Sequence, residues 1–327
     1  MNIIFDKKIS AGFILFGVLI ILFFVSLKIG EINISILDFL TNKLSLKDKI
    51  ILKNLRLTRT LGGIIAGGIL GLSGCILQNI LRNPLASPFT IGVSQGAAFG
   101  AAFAIIFFNG NLILASAFGG SLITIFILFA ISLIPEIKPE SLILAGVAIS
   151  SFFTAATMFL KYFANDIQVA SAVFWTFGDL SKSNFKNILL MFIVFLPVFI
   201  FFFKNSWNYN AFLWGEETAK SLGVNVKFFI VISLILSSFI CSITIAYLGI
   251  IGFIGFIAPH IIRMTIGNDY RFLIPYSAIN GANILLLSDI FSRIILKPVI
   301  IPVGIITSFL GVPLFLYILL KQRNVRS

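Results

Sequence analysis

Between residues 9 and 320 the chain is a succession of apolar runs, most of them long enough to cross a bilayer, separated by short polar stretches. A helix needs about 20 apolar residues to span the hydrocarbon core. Lipid offers the backbone no hydrogen-bond partners, so runs of this kind must satisfy their amides internally, as helices. The pattern therefore predicts an all-α, polytopic membrane protein, with one transmembrane domain over residues 1–327. Composition agrees, at 59% hydrophobic and 11% charged with a mean hydropathy of +1.09; soluble proteins are about 25% charged. Residues 9–27 read as a retained span, because charged "KIGEINIS" follows them where a signal peptide would have a small-residue cleavage site. Cys75 and Cys241 lie inside apolar runs, where a thiol packs as a small hydrophobe.

Spans are expected near 9–27, 60–81, 89–108, 112–134, 141–160, 187–203, 272–292 and 299–320. The run 228–262 is too long for one crossing. It contains "GIIGFIGFIAP", whose glycines and Pro259 are poor helix formers, so it divides at 249–259 into two helices, the second short. That makes about ten spans, with the polar connections 28–59, 82–88, 135–140, 161–186, 204–227 and 267–271. The 24 Lys and Arg divide almost evenly between the two sides, so the positive-inside rule does not orient the chain. The basic tail favours a cytoplasmic C-terminus, whereas Lys43, Lys47, Lys49, Lys53, Arg56 and Arg59 in the first connection argue the reverse.

Some segments invite chemistry. Gly63, Gly67 and Gly71 recur every four residues, the small-residue stripe that lets membrane helices approach closely. Gly146, Ser150, Thr154 and Met158 share that spacing and suit either packing or the lining of a pathway. "QNILRNPLASPFTIGVSQGA" has Pro84 and Pro88 four apart, which dictates a tight non-helical turn at membrane depth. Asp289 is the acid placed deepest in any span. Arg293, four residues on, favours a local helical ion pair over proton coupling. His260, beside Pro259 at the break, reads as structural, since one histidine builds no metal site. No cofactor or metal set is found. A phosphate-binding G-x-x-x-x-G-K-[ST] run is absent, as is any nucleophile beside a base, so no enzyme is indicated and a partner must supply energy. The alternative is a secondary carrier driven by an ion gradient through Asp289.

The run "RLTRTLGGIIAGGILGLSGCILQNILRNPLASPFTIGVSQGAAFGA" resembles the signature of the FecCD-type permeases, membrane subunits of bacterial importers for iron-siderophore, haem and cobalamin. "SLILAGVAIS", "GIIGFIGFIAPHIIR", "LLLSDIFSRI" and "IPVGIITSFLGVPLFLYILLK" resemble later blocks of the family, in order. The resemblance implies a type II ABC importer permease in the bacterial inner membrane, with both termini cytoplasmic. It implies an inverted repeat, helices 2–5 against 7–10, and a second permease, a copy or a paralogue, around a shared path. Two ATPase subunits and a periplasmic or lipid-anchored binding protein would complete the importer. The polar island "WGEETAKSLGVNVK" at 214–227 would then be the cytoplasmic coupling loop, with Glu216, Glu217, Ala219 and Gly223 keeping an E-x-A-x-x-x-G pattern. By the same resemblance Asn83, Leu85 and Ser141 belong to the cytoplasmic gate. Arg56, Arg59 and Arg293 would face the periplasm and grip acids of the binding protein.

Overall fold

The computed structural model describes residues 2–30, 45–134, 137 and 139–323. Lys43 and the last residues of the basic tail lie outside them. The described residues form helices α1 (Asn2–Lys28), α2 (Leu46–Ile80), α3 (Val93–Phe107), α4 (Ile113–Ser132), α5 (Pro139–Tyr162), α6 (Asp166–Thr176) and α7 (Phe185–Lys204). These are followed by α8 (Ser206–Phe212), α9 (Glu216–Ser221), α10 (Val226–Leu248), α11 (Ile254–Ile266), α12 (Tyr270–Ile294) and α13 (Val303–Arg323). Helices α1, α2, α4, α5, α7 and α10 are long and apolar enough to cross a membrane, and α3, α11 and the first half of α13 are shorter apolar helices. The remaining span, α12, has 25 residues and so reaches about 37 Å at 1.5 Å per residue. It is less apolar because it buries Asn280, Asn283, Ser288, Asp289, Ser292 and Arg293 inside the bundle. These ten helices correspond to the ten expected runs.

The centre of the bundle is α2 packed along α12, with α11 and α10 against the same helix. Glycine makes this possible. A Cβ on Gly67 would collide with the Gly281 carbonyl, and one on Gly281 with the Gly67 carbonyl. The stripe expected to bring backbones together does so here, and van der Waals contact between bare backbones replaces a hydrophobic driving force that lipid does not supply.

Two expectations about the chain path need correction. The first connection is not loop throughout, because helix begins at Leu46. Ser45 caps it, accepting from the Asp48 amide at 3.1 Å, and a π-helical stretch Ile51–Leu57 leads into the span. The second break is also shorter than 249–259. Only Gly249–Phe253 is non-helical, and Pro259 and His260 lie within α11. Side chains of the neighbouring helices reach the backbone of this helix: Gln78 donates to the Phe256 carbonyl at 3.3 Å and Asn280 to the Ala258 carbonyl at 3.0 Å.

Candidate functional site

One end of the bundle gathers the turn Leu81–Gly92, the helices α8 and α9, and the α11–α12 connection. In the turn, Asn83 Oδ1 accepts from the Leu85 amide at 2.8 Å, and the Thr90 hydroxyl accepts from the Ser87 amide at 2.9 Å. These side-chain bonds hold a short non-helical path that prolines would otherwise leave unsatisfied. Leu85, Ser87, Phe89 and Thr90 of this turn face Phe253 and Phe256 across a cavity of about 230 Å³, so the two breaks in the chain meet in space. Ser141, on the first turn of α5, is half-buried at the same end.

The polar island folds as a short helix between two glycines. Gly215 (φ +109) and Gly223 (φ +83) both take the left-handed backbone that suits glycine. Between them α9 is seated by Ala219, fully buried against Ala211, Phe212, Val224 and Val226. Ala219 is therefore an anchor rather than a contact surface. Glu216 is half-buried and Glu217 and Gly223 are exposed. Leu213, Trp214 and Leu222 form an exposed apolar rim around them, Trp214 being 79% exposed.

Helix α8, which lies within the connection expected at 204–227, ties this loop to the bundle. Asn79 of α2 donates to the Tyr209 carbonyl at 3.1 Å. Asn210 accepts from the Tyr270 amide at 2.8 Å and donates to Asp269 at 3.2 Å. Asp269 also pairs with Arg271 at 2.6 Å and with Lys8 of α1 at 3.4 Å. Burial alone would push the Asp269 carboxyl up. Hydrogen bonds from Arg271 and Asn210, and the Arg271 charge, outweigh it and hold the group well below the usual carboxylate range. This hub was missed because its partners are distant in sequence; the N-cap pattern at Asp269 was the one local signal.

On α5, Gly146 is buried, and a Cβ there would press on the backbone of Ile91. At this position the small residue lets α5 pack against the turn before α3. Ser150 is half-buried and bonds back to the Gly146 carbonyl at 2.7 Å, while Thr154 is exposed. An open face of α5 thus begins at Ser150 and continues through Thr154 and Met158.

The three arginines expected at an outer surface do meet, at the opposite end, around a depression of about 300 Å³. Yet all three are buried, and their guanidinium groups are engaged inward. Arg56 donates to the carbonyls of Leu27 and Lys28 at 3.0 and 3.1 Å, and Arg293 to those of Ser26 and Ile29 at 2.9 and 2.8 Å. Together they cap the end of α1, whose last carbonyls lack helical donors. Arg59 pairs with Asp289 at 2.6 Å and lies 3.7 Å from Asp179. Asp289 is not in a simple local pair, as the spacing suggested: Arg293 is 2.8 Å away on the other side, and the carboxylate has no exposed surface.

Comparison with known proteins now adds to this geometry. The FecCD transport family matches residues 18–321. An ABC transporter permease protein of Methanocaldococcus jannaschii is 46% identical, over 97% of this chain and 95% of that protein. The hemin transport system permease HmuU of Yersinia pestis is 35% identical over the full length of both chains. A solved structure, described as an inward-facing conformation of a transporter assigned to the metal-chelate ABC type, superposes with a TM-score of 0.85 at 33% identity. It covers 94% of this chain and 99% of its own. The fold is that of a type II ABC importer permease. Ten spans with paired breaks, full-length relatives that are ABC permeases and a match over nearly the whole sequence lead to one conclusion: the chain belongs to the FecCD transport family, as a membrane permease of an ABC importer.

Proposed function

We propose that the chain carries a bulky metal chelate, of the iron-siderophore, haem or cobalamin class, across the cytoplasmic membrane, using ATP hydrolysed by two partner subunits. The observation that carries this reading is the exposed helix α9, with its apolar and acidic rim, bonded through α8 to α2 and α12 beside the gate turn. A motor that grips α9 moves α8 with it, because Ala219 packs against Ala211 and Phe212 of α8, and Asn210 carries the motion on to the start of α12. Glu216, Glu217 and Gly223 then shape the surface the motor meets. Asn83 and Leu85, with Ser141, narrow the mouth on that side, and Ser150 and Thr154 face the path shared with a second permease. The depression ringed by Arg56, Arg59 and Arg293 receives acidic side chains of the binding protein; these arginines act there as a fixed positive field set in the rim. The hemin permease relative and the metal-chelate structure support the substrate class.

The alternative, an ion-driven carrier using Asp289, gains nothing from the geometry, since that carboxylate is already neutralised by two arginines. Proteoliposomes holding permease and motor decide between the two. Uptake of the chelate should require ATP on the motor side and binding protein on the other. Uptake driven by an ion gradient without ATP would refute the importer reading.

A further inference from the structure

At the end that holds the gate turn, a depression of about 480 Å³ opens between Arg82 and Pro84 of that turn, Trp214 and Gly215 of the loop before α9, and Arg263 of α11. Buried Tyr270 also lines it. The two arginines come from the two broken regions of the chain: Arg82 opens the first turn, and Arg263 rides the short helix after the second. Arg59, Arg271 and Arg293 each have an aspartate within 4.0 Å. Among the described residues, Arg82 and Arg263 have no carboxylate within that distance. Arg263 instead donates to the amide oxygen of Gln78 at 3.0 Å. Arg82 adopts φ +48, which is uncommon for a side-chain-bearing residue and persists where surroundings enforce it. Its guanidinium reaches across to the coupling loop, where a Cβ on Gly215 would stand 3.7 Å from Nη2.

Two uncompensated guanidinium groups in a walled concavity focus a positive field, and guanidinium binds carboxylate through paired, directional hydrogen bonds. The rim is the coupling loop itself, with Trp214 79% and Leu213 45% exposed, so whatever covers that loop also closes the depression. We propose that the depression is the acceptor for a carboxylate of the ATPase subunit, inserted between gate turn and coupling loop and held by Arg82 and Arg263. This rests on the coupling-loop reading above. One acid there would touch elements of both broken regions, so that seating of the motor is felt at the gate directly as well as through α8.

The test uses full-length permease in phosphatidylcholine nanodiscs, with motor affinity measured over a salt series. Arg82→Gln and Arg263→Gln should each weaken binding about two- to fivefold, the order for one partner of an exposed charge pair. The double variant should lose less than the product, because both arginines hold one group. Its affinity should also depend less on salt than the wild type's. Arg82→Lys and Arg263→Lys, which keep the charge but lose the paired donors, should keep the wild-type salt response and lose less affinity than the Gln variants. Unchanged affinity and salt response in the double variant would overturn the proposal. So would a loss that appears only when anionic lipid is added, which would assign the site to a headgroup, or an equal loss in the Gln and Lys variants with a lowered unfolding midpoint. Failure of the motor to bind wild type, or binding indifferent to Trp214→Ala, would count instead against the coupling-loop reading itself.

Discussion

Asp289 shows how much a residue's role depends on what surrounds it. An exposed i,i+4 pair is worth roughly 0.3–0.5 kcal/mol, and on that basis its loss would pass unnoticed. Here the carboxylate has no exposed surface and lies between Arg59 and Arg293. Removing one member of a buried set strands the other charges and costs about 3–5 kcal/mol. Asp289→Asn should therefore lower the thermal unfolding midpoint of the purified permease markedly. A midpoint matching the wild type would mean that the arginines find water or other partners. The same geometry changes what a charge reversal at Arg56 or Arg59 would report. Arg56 ties α2 to the end of α1 and Arg59 ties α2 to Asp289 of α12, so reversing them would disturb folding before it disturbed docking.

At the scale of elements, α8 and α9 form a lever with defined joints. Gly223 turns the chain out of α9 with positive φ and open space where a side chain would go. A substitution there meets no clash, and only the backbone resists, at roughly 1–2 kcal/mol for a residue with a Cβ. Gly223→Val should leave membrane insertion intact while re-aiming α9, so that ATP hydrolysis persists and uptake falls. Uptake at the wild-type level per ATP would remove the residue from the coupling route. The other joint is Asp269. Its pKa in the fold lies below the unfolded value near 4. Its contribution is therefore complete above the unfolded value and lost only as pH falls through the folded one. The α8 contact should accordingly be insensitive to pH throughout the neutral range. Asp269→Asn should loosen α8 at every such pH, seen as faster amide exchange across Ser206–Phe212. Protection that is already falling between pH 7 and pH 5 in the wild type would contradict this account of the hub.

The whole molecule presents a tightly packed block, α2 with α11 and α12, and a face of α5 that none of the described residues covers. Phe152, Met158, Phe159 and Tyr162 are all exposed along it. Lipid suits some of that surface, and the proposed second permease suits the rest. If the partner is a copy of this chain, Leu85→Cys should cross-link to its equivalent in the resting state, since Leu85 lies on the turn proposed to narrow the mouth. No cross-link in any nucleotide state would take Leu85 out of the gate.

The number of spans, their approximate limits, the breaks near Pro84 and Gly249 and the polar island were legible in the sequence, because each is a local property. Hydropathy over about 20 residues, proline and glycine chemistry and a cluster of charges need no knowledge of neighbours. The glycine stripe announced a close contact but not that Gly281 would meet it. Tertiary structure alone decided where the arginines point. From the sequence Arg56, Arg59 and Arg293 were basic residues near span ends; in the fold, the carbonyls closing α1 and the Asp289 carboxylate, distant in the chain, draw all three inward. It also decided that Asp269 would join α1, α8 and α12, and that Arg82 and Arg263 would share one depression. Long-range pairing of polar groups leaves no periodic trace along the chain, whereas burial of apolar surface does.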